Sequence, residues 1–140
     1  MLDIIIRGGD VVTPEGVTKA DIGIKGETIV AVAAPGVLGE QAGRVIDATG
    51  RIVMPGGVDP HVHMQHPFAT PEGPTYYTRG PDHVGMAALY GGTTTLIDFA
   101  YINSDTTVQN GIEARDAQFK GTAACDWAYH LMLQSEPPEA

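Results

Sequence analysis

The sequence has one cysteine, few basic residues and no long apolar run, and each shortage excludes a class of protein. Cys125 has no second cysteine with which to form an intrachain disulfide, which is typical of a reducing compartment. Eight Lys and Arg against 17 Asp and Glu give a net charge of -9, without a basic cluster that could bind a phosphate backbone or an anionic membrane. No signal peptide and no apolar stretch of about 18 residues is present. We therefore expect a cytoplasmic protein that binds neither nucleic acid nor membranes.

Residues 1–54 consist of short β-branched runs separated by turn residues. This pattern predicts a meander of strands. Ile22 and Ile24 alternate with Asp21 and Gly23, so one face of the meander is expected to be buried. A sheet of this size cannot cover its own edges, and we expect partner strands from elsewhere.

Residues 55–140 change to alternating strands and helices, which is typical of parallel βα units in an α/β fold. Strands are predicted over 58–63, 93–99 and 126–133, and helices from Asp82 to a left-handed stop at Gly91 and from Ser104 or Asp105 to Gly121. The connection 64–81 is long and polar, as functional loops often are. A closed (β/α)8 barrel takes roughly 250 residues. The chain therefore looks truncated, ending in residues 134–140 where a further loop would begin.

A His-x-His pair lies at the end of the first of these strands, in the stretch Asp59-Pro60-His61-Val62-His63. Because side chains alternate along a strand, His61 and His63 are expected on the same side. Two imidazoles placed in this way can share one metal ion, and the carboxyl ends of barrel strands face the active site. An isolated pair of this kind is more often packed or exposed, but its position at the start of a βα series favours a metal site.

These residues resemble a known family. The segments PGGVDPHVH, MQHPF and GGTTTLIDFA, with DIIIRGGDVVTPEG and ADIGIKGETIVAV before them, are similar to the amidohydrolase superfamily, and within it to hydantoinases, dihydropyrimidinases and allantoinases. The resemblance implies part of a small β-sandwich domain in residues 1–54 and the start of a metal-dependent (β/α)8 TIM-like barrel in residues 55–140. It also implies a hydrolase that opens the cyclic amide bond of hydantoins or dihydropyrimidines to N-carbamoyl amino acids, as a homo-oligomer of two or four subunits.

The same resemblance implies a pair of divalent metal ions, usually zinc, bridged by a carboxylated lysine. His61 and His63 match the ligands of the more buried ion, and Asp59 is the candidate for a carboxylate that orients a ligand. Met64 and Phe68 match the start of a loop that contacts the exocyclic group of the substrate. The bridging lysine, two further histidines and the catalytic aspartate of the family lie downstream of the matched stretch. We therefore expect no catalytic residue within this chain and no activity from it in isolation.

The sequence gives weaker support for a functional role of the remaining polar residues. Asp98 is expected either beside the metal ligands or in a structural hydrogen bond at a strand end. His83 and His130 are interpreted as structural, and Cys125 as a small buried side chain, because no chemical partners can be placed beside them. His66 stands where relatives often carry an apolar residue, a departure that bears on substrate preference.

Two other functions stay open. One is a non-catalytic assembly protein on the same scaffold, which the presence of His61 and His63 argues against. The other is a different amidohydrolase reaction, such as that of an allantoinase or a dihydroorotase. Dihydroorotases commonly carry an arginine close after the His-x-His pair, and this chain reads Met64-Gln65-His66 there. A dinucleotide-binding fold has no support, because no GxGxxG follows the first strand of the βα series.

Overall fold

The chain divides into two compact units, described separately below. The computed structural model describes residues 1–135. The first unit is Met1–Pro55 and the second starts at Gly56. The predicted terminal loop falls partly on residues 136–140, which lie outside the described residues. Within residues 1–135, no helix is both long and apolar enough to span a membrane.

The first unit is a five-stranded sheet. Its strands are β1 (Leu2–Thr13), β2 (Gly16–Lys25), β3 (Thr28–Ala33), β4 (Ala42–Asp47) and β5 (Ile52–Val53). The first three form the predicted antiparallel meander. The prediction is wrong beyond β3, since β4 and β5 both pair with β1 in parallel. A short β-branched run carries no signal of strand direction, which depends on where the connection returns the chain.

The core of the first unit lies on one face of this sheet. Val11, Ala20 and Ile22 are buried there, and Ile24 packs against them. The opposite side of β2 carries Asp21, whose side chain is also buried. The alternation read from the sequence therefore holds. The second face is also covered around Asp21, where Ile5 is buried and the carboxylate accepts the backbone N–H groups of Gly8 and Gly36.

The second unit is built around a three-stranded parallel sheet. Its strands in chain order are β6 (Gly57–Asp59), the hairpin strands β7 (Pro67–Ala69) and β8 (Thr75–Tyr77), β9 (Thr93–Ile102) and β10 (Asp126–Leu133). Its helices are α1 (Pro81–Tyr90) and α2 (Val108–Phe119). The sheet order is β10-β9-β6, and β7 pairs only with β8. The predicted strand-helix alternation is confirmed, and the bounds of β10 agree with the prediction.

Both helices pack on the same face of this sheet. A single buried cluster joins Leu96 of β9 to Phe119 of α2, with Val84 and Ala88 of α1 packed against it. Trp127 of β10 contacts the same cluster. Helices on one face are typical of a singly wound βα arrangement, whereas doubly wound sheets carry helices on both faces. The other face of the sheet is left for the histidine side chains.

The first strand of the second unit is shorter than predicted. The prediction extended it from 58 to 63, but β6 ends at Asp59. Pro60 has no backbone N–H and cannot continue the ladder. The chain nevertheless stays beside β9, because the Val62 N–H donates to the carbonyl of Ile97 at 3.0 Å.

The helix ends also differ from the prediction. Helix α1 has Gly80 at its N-cap without a side-chain cap, so Asp82 lies in the first turn rather than at the cap. Thr107, not Ser104 or Asp105, caps α2 by accepting from the Asn110 N–H at 3.2 Å. Gly91 has an ordinary φ of -85°. The left-handed residue after α1 is Gly92.

Candidate metal site

His61 and His63 converge at the carboxyl end of the parallel sheet. Their Nε2 atoms lie 3.1 Å apart, and the two ring planes are inclined at 67°. Zinc binds imidazole nitrogen at about 2.0–2.1 Å, so one ion between the rings is within reach of both atoms. Among the described residues, no group of three or more His, Cys, Asp or Glu side chains is arranged to hold a metal ion. The residues present therefore fit two ligands of a metal site, and further ligands are needed.

Phe99 of β9 forms the floor beneath both rings. Its ring is stacked on His63 with centroids 4.6 Å apart and planes at 9°, and it contacts the His61 ring at 4.8 Å. His130 of β10 lies against the same phenyl ring, and its Nε2–H donates to the Pro60 carbonyl at 2.9 Å. His130 thus ties β10 to the turn before the histidine pair, in agreement with a structural role.

Tyr101 holds the other nitrogen of His63. Its hydroxyl lies 2.9 Å from Nδ1 of His63. Burial, with smaller contributions from the neighbouring His61 and His66, lowers the pKa of His63 below its ordinary value, which favours the neutral ring. Burial and then the charge of Asp98 raise the pKa of Tyr101, which keeps the phenol protonated. Sequence analysis missed Tyr101, although it follows Phe99 by two positions and therefore shares its strand face.

His66 lies beside this pair at the start of the hairpin. Its ring is stacked on Tyr101 at 5.2 Å with planes at 19°, and it lies 5.2 Å from the His63 ring. Its backbone N–H donates to Thr78 Oγ1 at 2.8 Å. The Nδ1 atom of His66 is buried and has no hydrogen-bond partner in the described part of the chain.

Asp59 acts on the backbone of the pair. Its Oδ1 accepts from the backbone N–H of His61 at 3.1 Å. This bond spans two residues, as in the local turns that aspartate favours. In the structure Asp59 acts on the turn that carries His61, and its role as a carboxylate that orients a metal ligand stays a prediction.

Asp98 points away from the histidines, toward α2. Its Oδ2 accepts from the Met64 N–H at 3.0 Å and from Arg115 Nη2 at 2.7 Å. The same guanidinium nitrogen donates to the carbonyl of Met64. Of the two expectations for Asp98, the structure supports the structural one.

The two candidate substrate contacts have different environments. Met64 is 1% exposed and packs with Leu96 and Phe119 in the core. Its side chain therefore does not lie on an accessible surface of this unit, and its backbone N–H and C=O are bound by the buried Asp98–Arg115 pair. Phe68 is 49% exposed on β7 and stacks on Tyr76 of β8 at 5.9 Å.

Cys125 and His83 are not among the residues that contact the histidine pair. Cys125 is half-buried beside the hydrophobic cluster, and burial followed by the charge of Asp126 raises the pKa of its thiol. A thiol held protonated is a poor nucleophile. His83 is exposed on α1, 3.4 Å from the Asp82 carboxylate.

The sequence has relatives among known proteins. No family model matches it. It is 38% identical over 133 residues to a D-hydantoinase of Rhizobium radiobacter, a match that covers 94% of this chain and 27% of that protein. It is 43% identical over 140 residues to dihydropyrimidinase 1 of Caenorhabditis briggsae, covering 97% of this chain and 27% of the relative. The chain thus spans about a quarter of the length of these curated relatives.

Solved structures of the same kinds of protein are also similar to this chain. A D-hydantoinase crystal structure matches with a TM-score of 0.81 and 35% identity, covering 97% of this chain and 28% of that one. A dihydropyrimidinase from Brevibacillus agri matches with a TM-score of 0.81 and 34% identity over the same shares. A D-aminoacylase, 17% identical with a TM-score of 0.62, shares the fold alone.

The fold of the chain is that of the N-terminal region of hydantoinase structures, the amidohydrolase fold. Within that class, the chain is a homologue of D-hydantoinases and dihydropyrimidinases over the quarter of their length that it spans.

Proposed function

We propose that His61 and His63 are two metal ligands of a hydrolase that opens the cyclic amide bond of hydantoins or dihydropyrimidines to N-carbamoyl amino acids. The observation that carries the proposal is the 3.1 Å separation of the two Nε2 atoms, in a chain homologous to D-hydantoinases and dihydropyrimidinases. When bound, a pair of divalent ions, zinc first among them, supplies Lewis acidity toward the ring carbonyl and activates water near neutral pH.

The chain's own residues hold the ligands and contact the substrate. Phe99 supports both imidazoles from below, and Asp59 fixes the turn from which they project. Phe68 is the candidate substrate contact, because it is an exposed aromatic side chain on the hairpin that follows the pair. An apolar side chain at that place suits the exocyclic group of a substituted ring rather than its polar amide.

The bridging lysine and the remaining ligands are expected from polypeptide outside residues 1–140. The three lysines of this chain support that expectation, because each forms an ion pair with an aspartate. The pairs are Lys19 with Asp10, Lys25 with Asp3, and Lys120 with Asp116. The family resemblance extends the proposal to a dimer or tetramer that acts on a small cyclic amide or ureide.

The test combines metal content with ring opening in the assembled protein. Zinc is measured by elemental analysis, and hydrolysis of hydantoin and of a dihydropyrimidine is followed separately. His61→Asn and His63→Asn are each expected to lose bound metal and to lower hydrolysis by at least about 10- to 100-fold. His83→Asn, at the exposed histidine of α1, is the matched control and is expected to retain both.

Three results would contradict the proposal. Full metal content in the double variant His61→Asn/His63→Asn would show that the pair is not a ligand set. A protein that binds metal through the pair but opens neither ring would belong to another amidohydrolase reaction, and a metal-free protein without hydrolysis would be the non-catalytic scaffold.

A further inference from the structure

The ring of His63 has one nitrogen toward His61 and the other toward Tyr101. From this arrangement we infer that Tyr101 is a positioning residue, which fixes the orientation of His63 so that Nε2 is presented to the metal. The inference rests on the proposed function, since it concerns the same metal site.

The hydrogen bond is compatible with metal binding at Nε2. A neutral imidazole carries one proton, so a ring that binds metal through Nε2 carries that proton on Nδ1. The Tyr101 oxygen lies 2.9 Å from Nδ1 of His63, where it can accept the Nδ1–H. Hydrogen bonds from the second nitrogen of a ligand histidine are a general device for setting its tautomer and orientation.

Two different contacts restrain the ring. Phe99 lies parallel to His63 at 4.6 Å and prevents the ring from tilting. That stacking alone does not prevent a half-turn of the ring about the Cβ–Cγ bond. After such a half-turn a carbon atom would occupy the place of Nδ1. The bond to Tyr101 opposes this half-turn, because a carbon in the place of Nδ1 makes no comparable hydrogen bond.

Tyr101 is itself held by the base of the hairpin. The His66 ring stacks on it at 5.2 Å, and the backbone of His66 is bound to Thr78 at 2.8 Å. The Gln65 N–H donates to the Arg79 carbonyl at 3.0 Å and closes the same base. The hairpin that carries Phe68 is therefore connected to the metal ligand through His66 and Tyr101.

Tyr101→Phe tests the inference, because it keeps the ring that stacks on His66 and removes only the hydroxyl. Zinc affinity of the assembled protein, measured by competition with a chromogenic chelator, is expected to fall by about 10- to 100-fold. The visible spectrum of the cobalt-substituted protein is expected to change with it, since the field at the metal depends on how the ligand ring is held. Thermal unfolding of the metal-free variant is the check on folding.

Tyr129→Phe is the matched control. Tyr129 is a half-buried tyrosine of β10 whose hydroxyl lies 3.5 Å from Asp116, on the helix side of the sheet. Its removal is expected to leave zinc affinity and the cobalt spectrum unchanged. Equal effects of the two substitutions would mean that loss of any buried hydroxyl weakens the protein, and the inference would fall.

The inference and the proposed function fail in different ways. If the wild-type protein binds zinc through His61 and His63 but Tyr101→Phe matches it in affinity and spectrum, Tyr101 does not position the ligand and the proposed function stands. If the wild-type protein shows no histidine-dependent zinc binding, both are wrong. An affinity loss confined to Tyr101→Phe, with unchanged unfolding of the metal-free protein, supports the inference.

Discussion

Asp98 and Arg115 form a buried ion pair with 2.7 Å between Oδ2 and Nη2, and their side chains are 0% and 9% exposed. The pair holds both backbone groups of Met64, the residue after His63. It therefore links α2 to the backbone immediately beyond the candidate metal ligand, from the face of the sheet opposite to the histidine rings.

Arg115→Met is expected to lower the free energy of unfolding by roughly 3–5 kcal/mol, because it leaves the Asp98 carboxylate buried without its counter-charge. Urea denaturation measures the change. Lys120→Met is the control at the end of the same helix, since Lys120 is 73% exposed in its pair with Asp116 and a solvent-exposed ion pair contributes far less to stability than a buried one. Equal losses of unfolding free energy in the two variants would show that burial does not set the contribution of these ion pairs to stability.

Asp21 is expected to make the stability of the protein depend on pH in the acid range. The Gly36 N–H at 2.8 Å, the Gly8 N–H at 2.9 Å and the charge of Arg7 hold the pKa of Asp21 below its ordinary value. A lowered pKa in the folded state gives stability that is present above the unfolded value of about 3.9 and is lost as pH falls through the folded value. Asp21→Asn removes this contribution.

The measurement for Asp21 is the unfolding free energy of both proteins at a series of pH values. The wild-type protein is expected to be the more stable one at neutral pH, and the difference is expected to shrink below about pH 4. A difference that stays constant through the acid range would show that the carboxylate charge is not what the backbone donors stabilise.

The sequence predicts those elements whose signals are local. The strand β10 has the predicted bounds, since most of its residues are apolar or aromatic and Gly121 follows the helix before it with φ 75°. The parallel return of β4 was missed, because pairing with β1 depends on a crossover and not on the composition of the strand. Pro60 shortened β6 by removing one ladder donor.

The same distinction applies to the site. His61 and His63 are two positions apart, so their convergence could be predicted from strand geometry even though β6 ends before them. Tyr101 is 38 positions from His63, and Arg115 is 51 from Met64. Their contacts are set by which residues face each other across the packed sheet and helix, and a single sequence does not contain that information.

Gly92→Ala is expected to lower the free energy of unfolding by about 1–2 kcal/mol, because Gly92 has φ 84° and a side chain there is strained whatever the space around it. Gly91→Ala, at the preceding residue with φ -85°, is the matched control and is expected to cost less. Chemical denaturation of the two variants checks the assignment of the left-handed stop. A larger loss at Gly91 would contradict it.

Substitutions at Met64 and Phe68 are expected to affect different properties. The first should change stability and the second substrate selectivity. Met64→Ala, at a 1% exposed core position, is expected to lower the free energy of unfolding by about 2–5 kcal/mol through the cavity it leaves. Phe68→Ala, at a position 49% exposed, is expected to change stability by no more than about 0.5 kcal/mol. Its expected effect is on the ratio of kcat/KM between an unsubstituted hydantoin and one with an apolar ring substituent, because the proposed contact of the phenyl ring is with the substituent alone. An unchanged ratio in Phe68→Ala, measured beside unfolding curves for both variants, would remove Phe68 from the substrate site.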